Sequence, residues 1–117
     1  SDTMPEVKVK GIPDSIRVFV GGCVERGDGS SFRRQGHAHN CKSSPYYGWI
    51  CIRSAKRLYT ASGAPSQLIM EEVAHILTPN HGHDATWLLK MKEMGQPVGR
   101  LRQKRIKKTK AWRNRAK

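Results

Sequence analysis

No stretch of the sequence approaches the roughly 18 consecutive apolar residues that a membrane-spanning helix requires. The chain also opens without the charged, apolar and small-residue succession of a secretory signal. Its three cysteines, Cys23, Cys41 and Cys51, cannot all pair within one chain, which is typical of a reducing compartment. We therefore expect a soluble protein of the cytoplasm or another intracellular space, without a membrane partner.

Acidic residues are missing altogether from the last part of the chain. Residues 100–117 contain ten Lys or Arg and no Asp or Glu, so this tail carries +10 of the formal net charge of +13. Its apolar residues Leu101, Ile106 and Trp112 form no helical stripe. We therefore do not expect the tail to be ordered in isolation.

A tail of this composition predicts binding to nucleic acid through phosphates, with salt-sensitive and sequence-tolerant affinity. Trp112 lies between basic residues and is a candidate to stack on an exposed base. Neither a recognition helix nor an RNA module is visible, so DNA and RNA both stay open. The predicted nucleic-acid-binding residues are Arg100, Arg102, Lys104, Arg105, Lys107, Lys108, Lys110, Trp112, Arg113, Arg115 and Lys117.

The length of 117 residues suits one small domain with a tail, and a core this small needs a metal or a partner to be robust. We place the domain at residues 16–97, after an N-terminal arm at 1–15 that is either a short edge strand or a loose segment. Strand-forming residues predict short strands at 16–20, 32–40, 47–52 and 57–60. With two helices after them, the predicted fold class is α+β, with a short antiparallel sheet packed on the helices.

The first predicted helix, at residues 66–77, is amphipathic and carries acidic residues beside a histidine. Glu71 and His75 are four residues apart, so their side chains lie on the same face of the helix, one turn apart. They can therefore bind one metal ion, as the two histidines of H-E-x-x-H do. Glu72 stands where that motif keeps its general base. The opposite, apolar side of the helix is formed by Ile69, Met70, Val73, Ala74, Ile76 and Leu77.

A tight turn follows, because Pro79 disfavours helical geometry at the residue before it. The turn brings His81 and His83 back toward the first helix. Asp84 is the predicted N-cap of a second helix at residues 85–94, and Gly95 marks its end.

The segment EEVAHILTPNHGHDATW, residues 71–87, resembles the catalytic helix-turn-helix of the SprT-like zinc metallopeptidases, the Spartan family. In that family H-E-x-x-H is followed by a short loop and then by His-Gly-x-x-aromatic. Trp87 lies four residues after His83, which matches this spacing if His83 is the third ligand. The dipeptide His81-Gly82 offers the alternative alignment.

The resemblance implies a minimal zincin-like domain in which Glu71, His75 and His83 hold Zn²⁺, with His81 as the alternative third ligand. Glu72 would take a proton from the water that attacks a peptide carbonyl. Protein substrates attached to or near DNA are implied as well. The chain departs from the family at Glu71, where the family has its first histidine; two histidines with one glutamate are nevertheless a known catalytic ligand set for zinc.

Two other functions are compatible with the same residues. Glu71 in place of histidine, together with so large a basic tail, also suits a catalytically inactive zincin-like scaffold that binds nucleic acid. A small basic component of a viral or ribonucleoprotein assembly has the same features.

A second metal hypothesis concerns His37, His39, Cys41 and Cys51. Strand geometry places the two histidines on one side of the chain. The spacing of the four residues matches no compact zinc template, however. Cys51 also lies in a predicted buried strand, where a free cysteine behaves as a small hydrophobic residue.

Overall fold

The computed structural model describes residues 4–25 and 35–115, which form an α+β fold. The α+β class predicted from the sequence is thereby confirmed. A short 3₁₀ turn at Ala55–Arg57 precedes the helices. Within the described residues the strands are β1 (Glu6–Val7), β2 (Arg17–Val20), β3 (Gly36–Ala38) and β4 (Trp49–Ile52), and the helices are α1 (Gln67–Leu77), α2 (Ala85–Glu93), α3 (Arg100–Lys107) and α4 (Lys110–Arg115).

The four strands form one mixed sheet in the order β1-β2-β4-β3. β1 pairs with β2 and β3 pairs with β4 in antiparallel fashion, but β2 and β4 are parallel. The prediction of an entirely antiparallel sheet was therefore wrong, because β3 takes the edge position and lets β4 lie directly beside β2. Part of the N-terminal arm forms the edge strand β1, one of the two alternatives that the sequence left open.

The strand predicted at residues 57–60 does not form. Residues 57–60 do not join the sheet: the chain turns at Ala55–Arg57, and Tyr59 makes only an isolated bridge with Pro65. Ser54 caps this turn by accepting a hydrogen bond from the backbone N–H of Lys56. Of the strand predicted at 32–40, residues 32–34 lie outside the described residues, and the rest contains β3.

Alternation along the strands gives the sheet two chemically different faces. Val18, Ile50 and Ile52 point to one face and form a core with Ile69 and Val73 of α1. Residues in the alternate positions, among them His37 of β3 and its cross-strand partner Cys51 of β4, lie on the face opposite α1.

Helix α1 lies between two hydrophobic layers. Its side formed by Ile69, Val73 and Ile76 packs on the sheet, while Ala74 packs on α2. Ser66 begins the helix by accepting a hydrogen bond from the backbone N–H of Ile69.

Two residues of α1 differ from the predicted division into one polar and one apolar side. Glu72 is only 9 % exposed although it was placed on the polar side, and Leu77 is 43 % exposed although it was placed on the apolar side. The reason is that α1 is covered by the sheet on one side and by α2 on another, so its exposed strip is narrow.

Helix α2 forms as predicted. The Asp84 carboxylate accepts a hydrogen bond from the backbone N–H of Trp87, and Gly95 has φ +70° directly after the helix. A left-handed glycine at this place is a frequent helix end. Trp87, Leu88 and Met91 are fully buried on the side of α2 that faces α1 and α3.

The described part of the basic tail, residues 100–115, forms helices α3 and α4, contrary to the expectation from its sequence. Ile106 of α3 is 3 % exposed and joins the cluster around Trp87 and Leu88, and Trp112 of α4 packs on the same cluster. Helices as short as α3 and α4 are only marginally stable in isolation. The buried contacts of Ile106 therefore stabilise α3 although it lacks an apolar stripe. In residues 4–25 and 35–115, no helix is both long enough and apolar enough to cross a membrane.

The packing of α3 can be tested by comparing two alanine substitutions in the same helix. Ile106→Ala removes a buried side chain, so we expect it to lower the free energy of unfolding by about 2 kcal/mol or more. Leu101→Ala changes a side chain that is 75 % exposed, so its effect should stay within about 0.5 kcal/mol. Urea denaturation followed by circular dichroism measures both. Equal effects would contradict the packing of α3 on α2.

Candidate functional site

A cleft of about 390 Å³ lies between the edge strand β3, helix α1 and the turn that joins α1 to α2. The four residues of the predicted metal and catalytic site all line this cleft, and so does the alternative ligand His81. Its ionisable lining residues are His37, Glu71, Glu72, His75, His81, His83 and Arg102. The cleft therefore contains the residues that the family resemblance singled out, together with His37 of β3 and Arg102 of α3.

His75 and His83 meet inside the cleft. Their Nε2 atoms are 3.0 Å apart, and their ring centroids are 4.6 Å apart. Trp87 holds both rings: His75 stacks on the indole with a centroid distance of 5.5 Å, and His83 contacts it edge to face at 4.6 Å. Since Trp87 is fully buried, the two imidazoles have a fixed support beneath them.

His81 has a different neighbour. Its Nδ1 atom is 2.6 Å from Oδ2 of Asp84, the residue that caps α2. Of the two candidates for a third ligand, the structure thus brings His83 to His75 and engages His81 with Asp84. Both side chains of this pair are partly exposed.

Glu71 and Glu72 both line the cleft but have different surroundings. The Glu71 carboxylate accepts a hydrogen bond from the Gln67 side chain at 3.3 Å, while its backbone carbonyl accepts one from the indole of Trp87 at 3.4 Å. Glu72 is largely buried. Among the described residues, no group of three or more metal-ligating side chains forms at this place, because Glu71 does not converge with the histidine pair.

Two asparagines fix the turn that carries His81 and His83. Asn40, just after β3, donates from its side chain to the backbone carbonyl of His81 at 2.7 Å. The backbone N–H of Asn80 donates to the Asn40 carbonyl at 2.8 Å. Asn80 adopts φ +65°, a left-handed conformation that asparagine tolerates well. The histidine turn is thereby tied to the edge strand of the sheet.

A second cluster lies on the face of the sheet opposite α1. Cys23, His37, His39 and Cys51 each offer one ligand atom, and these four atoms all lie within 4.8 Å of one another. Nε2 of His39 is 3.3 Å from Nε2 of His37, 3.7 Å from Sγ of Cys23 and 3.5 Å from Sγ of Cys51. This group of two cysteines and two histidines could hold a metal ion.

Burial shifts the titration of two members of this cluster. Burial lowers the pKa of the His39 imidazole, against the opposing effect of the Glu25 carboxylate. Burial raises the pKa of the Cys51 thiol to about 12, and the nearby Cys23 sulfur acts in the same direction. A neutral imidazole is the form that binds a metal, whereas a thiol has to release its proton on binding.

Three members of this cluster, His37, His39 and Cys51, were predicted from the sequence, but the predicted fourth member was wrong. Cys41 is exposed, and its sulfur contacts the Ser43 hydroxyl at 3.2 Å. Cys23 takes the place that Cys41 was expected to occupy. The only signal in the sequence was the Gly21-Gly22 turn after β2, which brings Cys23 back beside the sheet without any ligand spacing that could be recognised.

The predicted nucleic-acid-binding residues lie on α3 and α4, apart from Lys108, which ends α3, and Lys117, which lies outside the described residues. Arg102 lines the cleft, with its guanidinium carbon 5.9 Å from the centroid of the Trp87 ring. Trp112 is partly buried, and Lys92 and Lys107 lie over its ring at 5.8 and 5.6 Å. A base that stacks on Trp112 has to displace these ammonium groups, so the stacking role stays a prediction.

Comparison of the chain with protein-family models, curated proteins and solved structures finds no match in any of the three. The SprT-like resemblance consequently depends on the residues of this chain alone.

The cap of α2 leads to a pH-dependent prediction. Partial burial opposes it, but hydrogen bonds from His81 and from the backbone N–H of Trp87 lower the pKa of Asp84. A carboxyl group with a lowered folded-state pKa contributes stability above its unfolded pKa of about 3.9, and this contribution is lost as the pH falls through the folded value. Wild-type protein should therefore lose its stability advantage over Asp84→Asn as the pH falls from the unfolded pKa of Asp84 through its lower folded value.

The effect should be below about 1 kcal/mol, because nearly half of each side chain in the pair is exposed. Chemical denaturation of both proteins at several pH values measures it. Asparagine keeps the capping function, so a stability difference that does not change with pH would show that the charge of Asp84 contributes nothing.

Proposed function

We propose that this protein is a SprT-like, zinc-dependent metallopeptidase that associates with nucleic acid through α3 and α4. One observation carries the proposal: the Nε2 atoms of His75 and His83 face each other at 3.0 Å in a cleft that Glu71 and Glu72 also line. The same two histidines were selected from the sequence by their resemblance to the family motif.

The histidine pair suits a zinc ion. Two imidazole nitrogens that bind one tetrahedral Zn²⁺ at about 2.0–2.1 Å are separated by about 3.3 Å, close to the distance between His75 and His83. Glu71 lies one helical turn before His75 and becomes the third ligand when its carboxylate turns from Gln67 toward the pair. The ion would supply polarisation of the substrate carbonyl and activation of a water molecule.

Glu72 is the general base in this proposal. Its carboxylate takes a proton from the attacking water as the new C–O bond forms at the peptide carbonyl. The proton then passes to the leaving nitrogen as the C–N bond breaks. The low exposure of Glu72 strengthens its electrostatic interactions in the cleft.

The edge position of β3 provides a way to hold a peptide. Among residues 4–25 and 35–115, β3 pairs with β4 alone, and its residues line the cleft. An extended peptide can add to such an edge through backbone hydrogen bonds, which aligns it past the histidines with little dependence on sequence.

Arg102 connects the cleft with the predicted nucleic-acid-binding surface. It belongs to the basic helix α3 and also lines the cleft. A polyanion bound along α3 and α4 therefore lies beside the cleft, and a protein attached to that polyanion is brought near the histidine pair.

Catalysis can be tested with four variants and an unfolded protein such as labelled casein. Glu72→Gln should keep zinc while hydrolysis falls by about 10²- to 10⁴-fold. His83→Ala should lose about one zinc per chain relative to wild type, whereas His81→Ala should retain it, because only His83 meets His75. Glu71→His restores the family motif and should raise zinc affinity.

Zinc per chain is measured by elemental mass spectrometry, and hydrolysis by release of labelled peptides. If wild-type protein with added zinc cleaves nothing and His83→Ala binds as much zinc as wild type, the peptidase proposal is wrong.

Nucleic-acid binding can be tested with two triple variants that remove the same charge. Arg100, Arg105 and Lys108 are exposed on or next to α3, whereas Lys8, Lys10 and Lys56 are exposed elsewhere. Changing the first set to Gln should reduce the slope of log affinity against log salt by roughly 2 to 3, since each lost phosphate contact accounts for about 0.7 to 0.9. Fluorescence anisotropy with labelled single-stranded and duplex oligonucleotides measures the slope. An equal reduction in the control set would mean that net charge, not α3, governs binding.

A catalytically inactive scaffold is the second candidate. It is favoured by Glu71, which occupies the position of the family's first histidine and does not converge with His75 and His83. In that case Glu72→Gln changes nothing that can be measured, while nucleic-acid binding keeps its dependence on α3.

A further inference from the structure

We propose that Cys23, His37, His39 and Cys51 form a structural zinc site on the face of the sheet opposite α1. The site includes neither His75 nor His83, although His37 of β3 also belongs to the cleft lining, and it does not depend on whether the cleft is catalytic.

The distances within the cluster match those of a tetrahedral zinc site. With Zn–N of about 2.0–2.1 Å and Zn–S of about 2.3 Å, tetrahedral geometry requires about 3.3 Å between two nitrogens and about 3.6 Å between nitrogen and sulfur. The two histidines are separated by 3.3 Å, and His39 lies 3.7 and 3.5 Å from the two sulfurs. Three of the edges of the tetrahedron are thus already close to the lengths that zinc requires.

Three parts of the fold set these ligands in place. His37 of β3 lies directly across from Cys51 of β4, and His39 continues β3 by donating its backbone N–H to the Trp49 carbonyl. Cys23 follows the turn after β2, the strand that pairs with β4 on its other side. A bound ion would therefore connect three neighbouring segments of the sheet.

The arrangement is that of a structural site. Four protein side chains complete a tetrahedron and leave no position for water or substrate. Cys51 is fully buried and Cys23 is 3 % exposed, so the thiolates are shielded from solvent and oxidants. Two sulfur and two imidazole ligands favour zinc over hard cations such as Mg²⁺ or Ca²⁺.

A carboxylate also lies near the outer nitrogen of His39. Its Nε2 atom faces the cluster, while its Nδ1 atom is 3.7 Å from Oε1 of Glu25. Zinc-binding histidines commonly donate their other ring N–H to a carboxylate, and Glu25 would have to move closer to accept it.

The ion would act on the cleft through β3. This strand is an edge strand of three residues, so few backbone hydrogen bonds hold it. Two of the four ligands belong to β3 or to the residue directly after it, and the same strand forms one wall of the cleft. Metal binding would therefore hold that wall of the cleft in position. It would also add to the folding stability of a domain with a small core.

The test is cobalt and zinc binding by the reduced full chain. Cobalt bound by cysteine gives a thiolate-to-metal charge-transfer absorption that a site of histidine and carboxylate cannot give. We expect one equivalent of Co²⁺ with this absorption, displaced by Zn²⁺. X-ray absorption at the zinc edge of the wild-type protein should show sulfur at about 2.3 Å beside nitrogen at about 2.0 Å.

The third cysteine provides a matched control. Cys41→Ser should keep the charge-transfer absorption, whereas Cys23→Ser and Cys51→Ser should each lose it or bind cobalt more than about 100-fold more weakly. The absorption should persist when His75 and His83 are both changed to Ala, which separates this site from the cleft.

Several results would overturn the proposal. They are the absence of the absorption in wild-type protein, its retention when Cys23 and Cys51 are both serine, its loss in Cys41→Ser, or a zinc shell without sulfur. The X-ray absorption and wild-type cobalt measurements need no substitution, so they remain decisive if a cysteine variant fails to fold.

Discussion

The burial of α1 on two sides is the constraint on which the rest of the structure depends. Ile69 and Val73 attach this helix to the sheet, and Ala74 lets α2 approach closely on the other side. Trp87 of α2 packs with Ala74, and its ring also contacts the imidazoles of His75 and His83. One packing arrangement thus builds the core, orders the histidine pair and creates the cluster in which Ile106 anchors the basic tail.

Elements determined by neighbouring residues could be predicted, and those determined by distant contacts could not. Asp84 and Gly95 mark the ends of α2 because each acts within one turn of its own position. In contrast, the parallel pairing of β2 with β4 joins residues about thirty apart in the chain and has no local signal. The order of α3 depends on a pocket formed by α2, so the isolated pattern of the tail could not reveal it.

The candidate sites follow the same distinction. The i to i+4 spacing on α1 and the short turn after it are local, which is why His75 and His83 could be singled out before the fold was known. The cluster of Cys23, His37, His39 and Cys51 joins three separate segments, and its ligands become neighbours only through strand pairing. No spacing rule for compact zinc motifs covers a site assembled across a sheet.

Glu71 remains the residue on which the chemistry of the cleft depends. Three neutral imidazoles leave the full charge of a divalent ion to act on substrate, whereas one carboxylate in the set removes a unit of it. If Glu71, His75 and His83 hold zinc as proposed, this centre would be a weaker Lewis acid than the family's set of three histidines. The positive charge of Arg102 at the cleft lining acts in the opposite direction. In the proposed peptidase, this replacement would therefore slow hydrolysis relative to a centre of three histidines.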